Sequence, residues 1–104
     1  AVMRRGARIG DGWFPIFAMD DKGKAELDKL HRYIEEAGRN PADIGIESFV
    51  NAADKSEDQL AREIAAWKQN GASHISLNTM GAGFTSLQEH IDAVERFRGI
   101  ASDV

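Results

Sequence analysis

The chain contains no cysteine. Disulfide scaffolds, thiolate zinc sites, iron–sulfur clusters and cysteine nucleophiles are therefore excluded. This suits a reducing cytosol, and a cytoplasmic location is the expectation. Basic charge is in the minority, with 13 Lys and Arg against 17 Asp and Glu, net −4. Broad nucleic-acid binding needs a basic footprint that this chain lacks. No apolar run approaches the roughly 18 residues of a membrane span. Arg4-Arg5 suggests the start of a twin-arginine export signal, but the stretch from Gly12 to Met19 is too short and follows Asp11. Asn-x-Ser/Thr acceptors and low-complexity tracts are missing as well.

What is present is ordinary globular composition. The 104 residues are 29% charged and 42% apolar, enough for one domain with a core. Residues 2 to 8 read as the end of a helix, with Met3 and Ala7 on one face and Arg4, Arg5 and Arg8 suited to a last turn capped by Gly10. Gly12-Trp13-Phe14-Pro15 reads as a short strand closed by proline. Asp20 to Gly23 reads as a polar loop. A helix over 24–37 places Leu27, Leu30, Ile34 and Ala37 on one face and stops at Gly38. After the Asn40-Pro41 turn, Ile44 to Val50 alternates: Ile44, Ile46 and Val50 on one side, Glu47 and Phe49 on the other.

Ser56 and Gln59 form a capping box ahead of Leu60, Ile64 and Trp67, and Gly71 ends that helix. Ser73 to Thr79 is a third strand. Ser86 and Glu89 form a second capping box, and Leu87, Ile91, Val94 and Phe97 are expected to be buried by the last helix. From Gly99 the tail is expected to fray.

The strands start near residues 12, 44 and 73. That spacing is about 30 residues, one βα unit. Strand and helix alternate with no hairpin signal, which predicts a parallel sheet with right-handed crossovers. A (β/α)₈ barrel takes about 31 residues per unit. The expectation is an α/β chain of three parallel βα units and a leading helix, residues 1–104 forming one segment from the C-terminal part of a TIM barrel. Right-handed crossovers put the helices on one face, and the other face stays open. Such a segment is expected to dimerise, swap elements or rearrange.

On the third strand His74, Ser76 and Asn78 alternate with Ile75 and Leu77, so the polar set is expected to face inward. Glu47 and His74 then lie at one depth on neighbouring strands, either as a carboxylate orienting an imidazole or as a buried polar pair that satisfies itself. Asn78-Thr79-Met80-Gly81-Ala82-Gly83 follows a strand and precedes a capped helix, where glycines admit a ligand to the backbone and a helix N-terminus favours an anion. The dinucleotide pattern fails, because Ser86 stands at the third glycine. Trp13 either lines a flavin-sized pocket or packs in the core. Trp67 has core spacing. His31, His74 and His90 lack metal-ligand spacing, so no metal site is expected. Arg4, Arg5 and Arg8 read as a solvated helix face, with a phosphate contact as the alternative. Nucleophile elbows and Walker loops are missing.

Three stretches resemble a known family. Arg4-Arg5-Gly6-Ala7-Arg8-Ile9-Gly10-Asp11-Gly12-Trp13-Phe14-Pro15 is similar to the R-R-A-A-R-x-G-D-G-W-x-P stretch of luciferase-like monooxygenases. Glu36-Ala37-Gly38-Arg39-Asn40-Pro41 resembles their E-A-G-R-D-P turn. Trp67 to Gly83 resembles the W-x₃-G-A-x-H-[IL]-S-[LV]-N-T-M-G pattern of one branch, and His90 falls where that branch has an E-H or A-H ahead of its last helix. Gly6 departs from the family's alanine, an exchange expected only to weaken the helix slightly.

The resemblance covers nearly the whole chain. It implies the C-terminal third of a barrel of roughly 250–300 residues. It also implies reduced FMN or a deazaflavin coenzyme as cofactor, and monooxygenation or hydride transfer on a small organic substrate. Acid–base residues and the main cofactor contacts would lie upstream. The matched positions expected to rim the cofactor pocket are Trp13, Asn78, Thr79 and Gly81, none of them catalytic. The isolated chain is expected to be inactive and to form a homo-oligomer. A non-enzymatic oligomerising module and a phosphate-ligand binder remain the alternatives.

Overall fold

The computed structural model describes residues 1–104. Its elements are α1 (Val2–Ile9), β1 (Gly12–Trp13), α2 (Asp21–Glu36), a 3₁₀ turn (Pro41–Asp43), β2 (Gly45–Asn51), α3 (Glu57–Gln69), β3 (His74–Asn78) and α4 (Leu87–Asp103). The three strands make one sheet in the order β1-β2-β3, parallel throughout. The architecture is α/β, as the alternating periodicities require. No helix is long and apolar enough to cross a membrane.

Helix boundaries follow local chemistry. Asp20 caps α2 by accepting from the Gly23 N–H at 2.8 Å. The helix therefore begins at Asp21 and takes in the stretch expected to be a loop. Gly23 looks like a breaker in sequence, yet a Cβ there would lie 2.0 Å from the Ala18 carbonyl oxygen. Close approach, not chain flexibility, calls for the glycine. At the other end Gly38 has φ +74°. Its N–H donates to the Glu35 carbonyl while the Arg39 N–H donates to Ile34, the paired bonds of a Schellman turn. In α3 both halves of the Ser56/Gln59 capping box are formed.

In α4 only half of the second box exists. The Glu89 N–H donates to Ser86 Oγ, but the Glu89 carboxylate accepts from the Thr85 N–H, one residue beyond the cap. The chain does not fray at Gly99: α4 runs to Asp103, because Ile100, Ala101 and Val104 pack on the core. Lys68 also donates to the Val104 carbonyl.

The core lies on one side of the sheet. Ile46, Ser48 and Val50 of β2 point into it and meet Ala7 of α1, Leu27, Leu30 and Ile34 of α2, and Leu60, Ile64 and Trp67 of α3. Glu47, Phe49 and Asn51 alternate onto the opposite face, which no helix covers. Only 14 of 104 residues are buried, so this core is thin. The radius of gyration is 15.2 Å, against about 13 Å for a compact chain of this length.

Two polar atoms inside the core, Ser48 Oγ and Trp67 Nε1, have no partner. The largest departure from expectation is on α4. Ala93 is buried and Phe97 half-buried, but Leu87, Ile91 and Val94 are 77%, 41% and 51% exposed. Their stripe adjoins the core-facing one, yet no element of this chain lies against it.

β1 stops at Trp13, two residues short of the expected strand, since Pro15 has no N–H for the ladder. The Trp13 indole turns to the helix side, where a Cβ on Gly6 would fall 2.5 Å from it. Gly6 is therefore a space for the indole and not merely a weak helix former.

Arg39 ties this end together. Its guanidinium donates to the Ala7 and Gly10 carbonyls at 3.0 and 2.7 Å, closing the C-terminus of α1.

Candidate functional site

Ligands of parallel α/β sheets bind at the carboxyl ends of the strands. Here those ends carry Asn51, Asn78 and the loop that follows β3. Asn78 Nδ2 donates to Asn51 Oδ1 at 2.8 Å across the β2–β3 register, and Asn78 Oδ1 accepts from the Met80 N–H at 3.0 Å. Thr79 Oγ1 lies 2.8 Å from His90 Nδ1, and Phe84 meets the His90 ring edge-on at 5.1 Å. His90 thus sits in the first turn of α4, not ahead of it. Gly81 and Gly83 have φ of +72° and +78° with open space at the Cβ position. Backbone conformation, not crowding, is what favours glycine there.

Asn78, Thr79 and Gly81 are therefore adjacent, on one rim of the sheet. Trp13 does not join them. It pairs with Ile46, five residues before Asn51 on β2. That is about 16 Å along the strand, and the indole is on the helix face. Trp13 is half-buried against the core cluster and also borders the concavity at the other end of the sheet. Asn78, Thr79 and Gly81 thus lie at one end of the strands and Trp13 at the other. The N-terminus of α4 is already served by Ser86 and by the Glu89 carboxylate. A phosphate there would meet a like charge, so the residues present do not fit a phosphate cradle.

Near the opposite end of the strands, Gly12, Trp13, Phe14, Gly45, Glu47 and His74 border an open concavity of about 320 Å³. Glu47 and His74 are paired in register, as the alternation predicts. Their side chains do not bond to each other. Glu47 Oε1 accepts from Ser76 Oγ at 2.8 Å, and His74 Nδ1 lies 3.0 Å from Ser73 Oγ. Both residues are exposed, so they are not a buried, self-satisfying pair. Ser73 is itself committed, accepting from the Ile46 N–H and donating to the Ile46 carbonyl.

Of the arginine cluster, Arg4 lies over the Tyr33 ring at 4.7 Å. Tyr33 holds its guanidinium above the usual range, chiefly by hydrogen bonding, so Arg4 is a fixed cation. The three histidines sit on three different elements, and no cluster of three or more His, Asp or Glu has the arrangement to hold a metal.

Sequence reasoning put Phe49 and Asn78 on the open face but missed Asn51, Phe17 and the stacking of Phe14 on Phe49. Phe14 and Phe49 stack at 5.7 Å with planes 14° apart. Beyond them Ile16, Phe17, Ala18, Phe49, Asn51, Lys55 and Glu63 line a cavity of about 270 Å³ at the carboxyl end of β2. The available signal was the period of two: Asn51 continues the Glu47, Phe49 alternation one residue past the expected strand end.

Comparison with protein-family models, curated proteins and solved structures gives no match.

Proposed function

We propose that this chain forms the last three βα units of a (β/α)₈ barrel oxidoreductase of the luciferase-like type, using reduced FMN or a deazaflavin on a small organic substrate. The observation that supports it is the one-sided layering. A parallel sheet carries all its helices on one face, while the other presents alternating Glu47, Phe49 and Asn51 to the open. A lumen face in a closed barrel has this pattern.

In this reading the chain supplies the rim at Asn51, Asn78, Thr79 and Gly81. The flavin ring and its phosphate are held by the remainder of the barrel. The test compares the 104 residues with the product of the reading frame extended upstream, each mixed with reduced FMN and with reduced deazaflavin. The longer product is expected to bind one of them and turn over, and the short chain to do neither. Turnover by the short chain alone overturns the proposal.

The exposed Leu87, Ile91 and Val94 stripe favours a second reading, a homo-oligomerising α/β module with no chemistry of its own. It predicts a defined dimer in sedimentation. A monomer that melts cooperatively and binds no apolar dye counts against it.

A further inference from the structure

The cavity at the carboxyl end of β2 combines two features. One part of its wall is apolar or aromatic: Ile16, Phe17, Ala18 and Phe49. Two of these rings are held by neighbours, Phe49 by the stack on Phe14 and Phe17 by a stack on Trp67 at 6.1 Å. Trp67 is buried in the core, so the Phe17 wall rests on a fixed support. Rings braced from behind offer a flat surface at little entropic cost.

The polar wall consists of Asn51, Lys55 and the Glu63 carboxylate. Asn51 Oδ1 is taken by Asn78, while Asn51 Nδ2 has no partner. Lys55 spends one of its three N–H groups on Glu63, whose charge it balances. The lining thus offers free donors at Asn51 and Lys55, with the Lys55 and Glu63 charges balanced and one Glu63 oxygen left as an acceptor. The volume, about 270 Å³, suits one ring with a small substituent and is below the usual range for larger cofactors.

We propose that this cavity binds a small uncharged aromatic compound through a carbonyl oxygen, with the ring against Phe17 and Phe49 and the oxygen accepting from Asn51 Nδ2. Calling that compound the substrate rests on the oxidoreductase reading above; the cavity and its donors belong to this chain in either case.

The test is an NMR titration of the isotope-labelled protein with benzamide and, separately, with toluene, which has the ring but no acceptor. Benzamide is expected to bind with about millimolar affinity, as its size allows. It should shift the signals of Ile16, Phe17 and Phe49 and the side-chain amide of Asn51. Toluene should shift the same ring neighbours about three- to tenfold more weakly, the worth of one neutral hydrogen bond.

Asn51→Asp keeps an acceptor for Asn78 but has no donor to offer. It should bring benzamide down to the level of toluene and leave toluene unchanged. Equal binding of the two probes by the unaltered protein overturns the proposal. So does the lack of a saturable shift with benzamide, or shifts scattered away from the cavity. The comparison of the two probes needs no variant, so it stands even if Asn51→Asp fails to fold. No flavin enters the titration, so failure here and failure of the turnover test are separate results.

Discussion

Helices α3 and α4 carry the same signals and end in different surroundings. Each opens on a serine cap, and each has an apolar stripe at spacings of four and three. In α3 the stripe Leu60, Ile64 and Trp67 is buried against β2 and beside α4. In α4 the stripe Leu87, Ile91 and Val94 faces outward, and a neighbouring stripe through Ala93 and Phe97 packs on the core instead. Periodicity reports which face of a helix is apolar. It does not report whether anything lies against that face.

The largest expected effect lies on the α3 side. Trp67→Ala removes the largest fully buried side chain and should cost about 3–5 kcal/mol in chemical denaturation. A loss below about 1 kcal/mol would mean that α3 is no better packed than α4, and the contrast would disappear.

Gly6→Ala extends the comparison to α1. Alanine gains up to about 1 kcal/mol of helix propensity. It also drives a methyl into the Trp13 indole, an overpacking cost of about 1–3 kcal/mol. Net destabilisation with a change in tryptophan fluorescence is expected; a more stable variant would show that the indole has other room.

The caps come next. Ser56→Ala breaks a complete capping box and should cost about 1 kcal/mol. Ser86→Ala should cost about as much, because the two serine bonds are alike at 3.2 and 3.3 Å and in each helix the Gln59 or Glu89 side chain keeps its own backbone N–H. Hydrogen exchange in the first turns of the two helices measures both losses, and an effect confined to one helix would contradict the structure.

The smallest effect sharpens the point most. Ile91→Ala and Val94→Ala should each change stability by no more than about 0.5 kcal/mol. If either costs as much as a core truncation, a second copy or another element covers α4 in solution.

The parts of the fold that were legible in the sequence are those decided locally. The βα order, the two sides of β2, the Gly38 and Gly71 stops and the Ser56 box all follow from spacing and turn chemistry. The Glu47–His74 register was legible too, because strand alternation fixes it. The failures involve partners distant in the chain or missing from it. Gly23 was read as loop because the Ala18 carbonyl that crowds it is invisible in a composition count. Glu47 turned to Ser76 because a long side chain reaches a diagonal hydroxyl more easily than its register partner. In the site, Asn78, Thr79 and Gly81 were found together, but the Phe14–Phe49 stack needs two strands placed side by side before it exists.

Arg39 has one more consequence. It belongs to the Glu36–Pro41 turn, but both carbonyls it holds, Ala7 and Gly10, belong to the Arg4–Pro15 stretch. Two of the three segments that resemble the luciferase-like family are thus halves of one clamp. Removing the Arg39 guanidinium would free both carbonyls at once, so the C-terminus of α1 and the turn after α2 would loosen together.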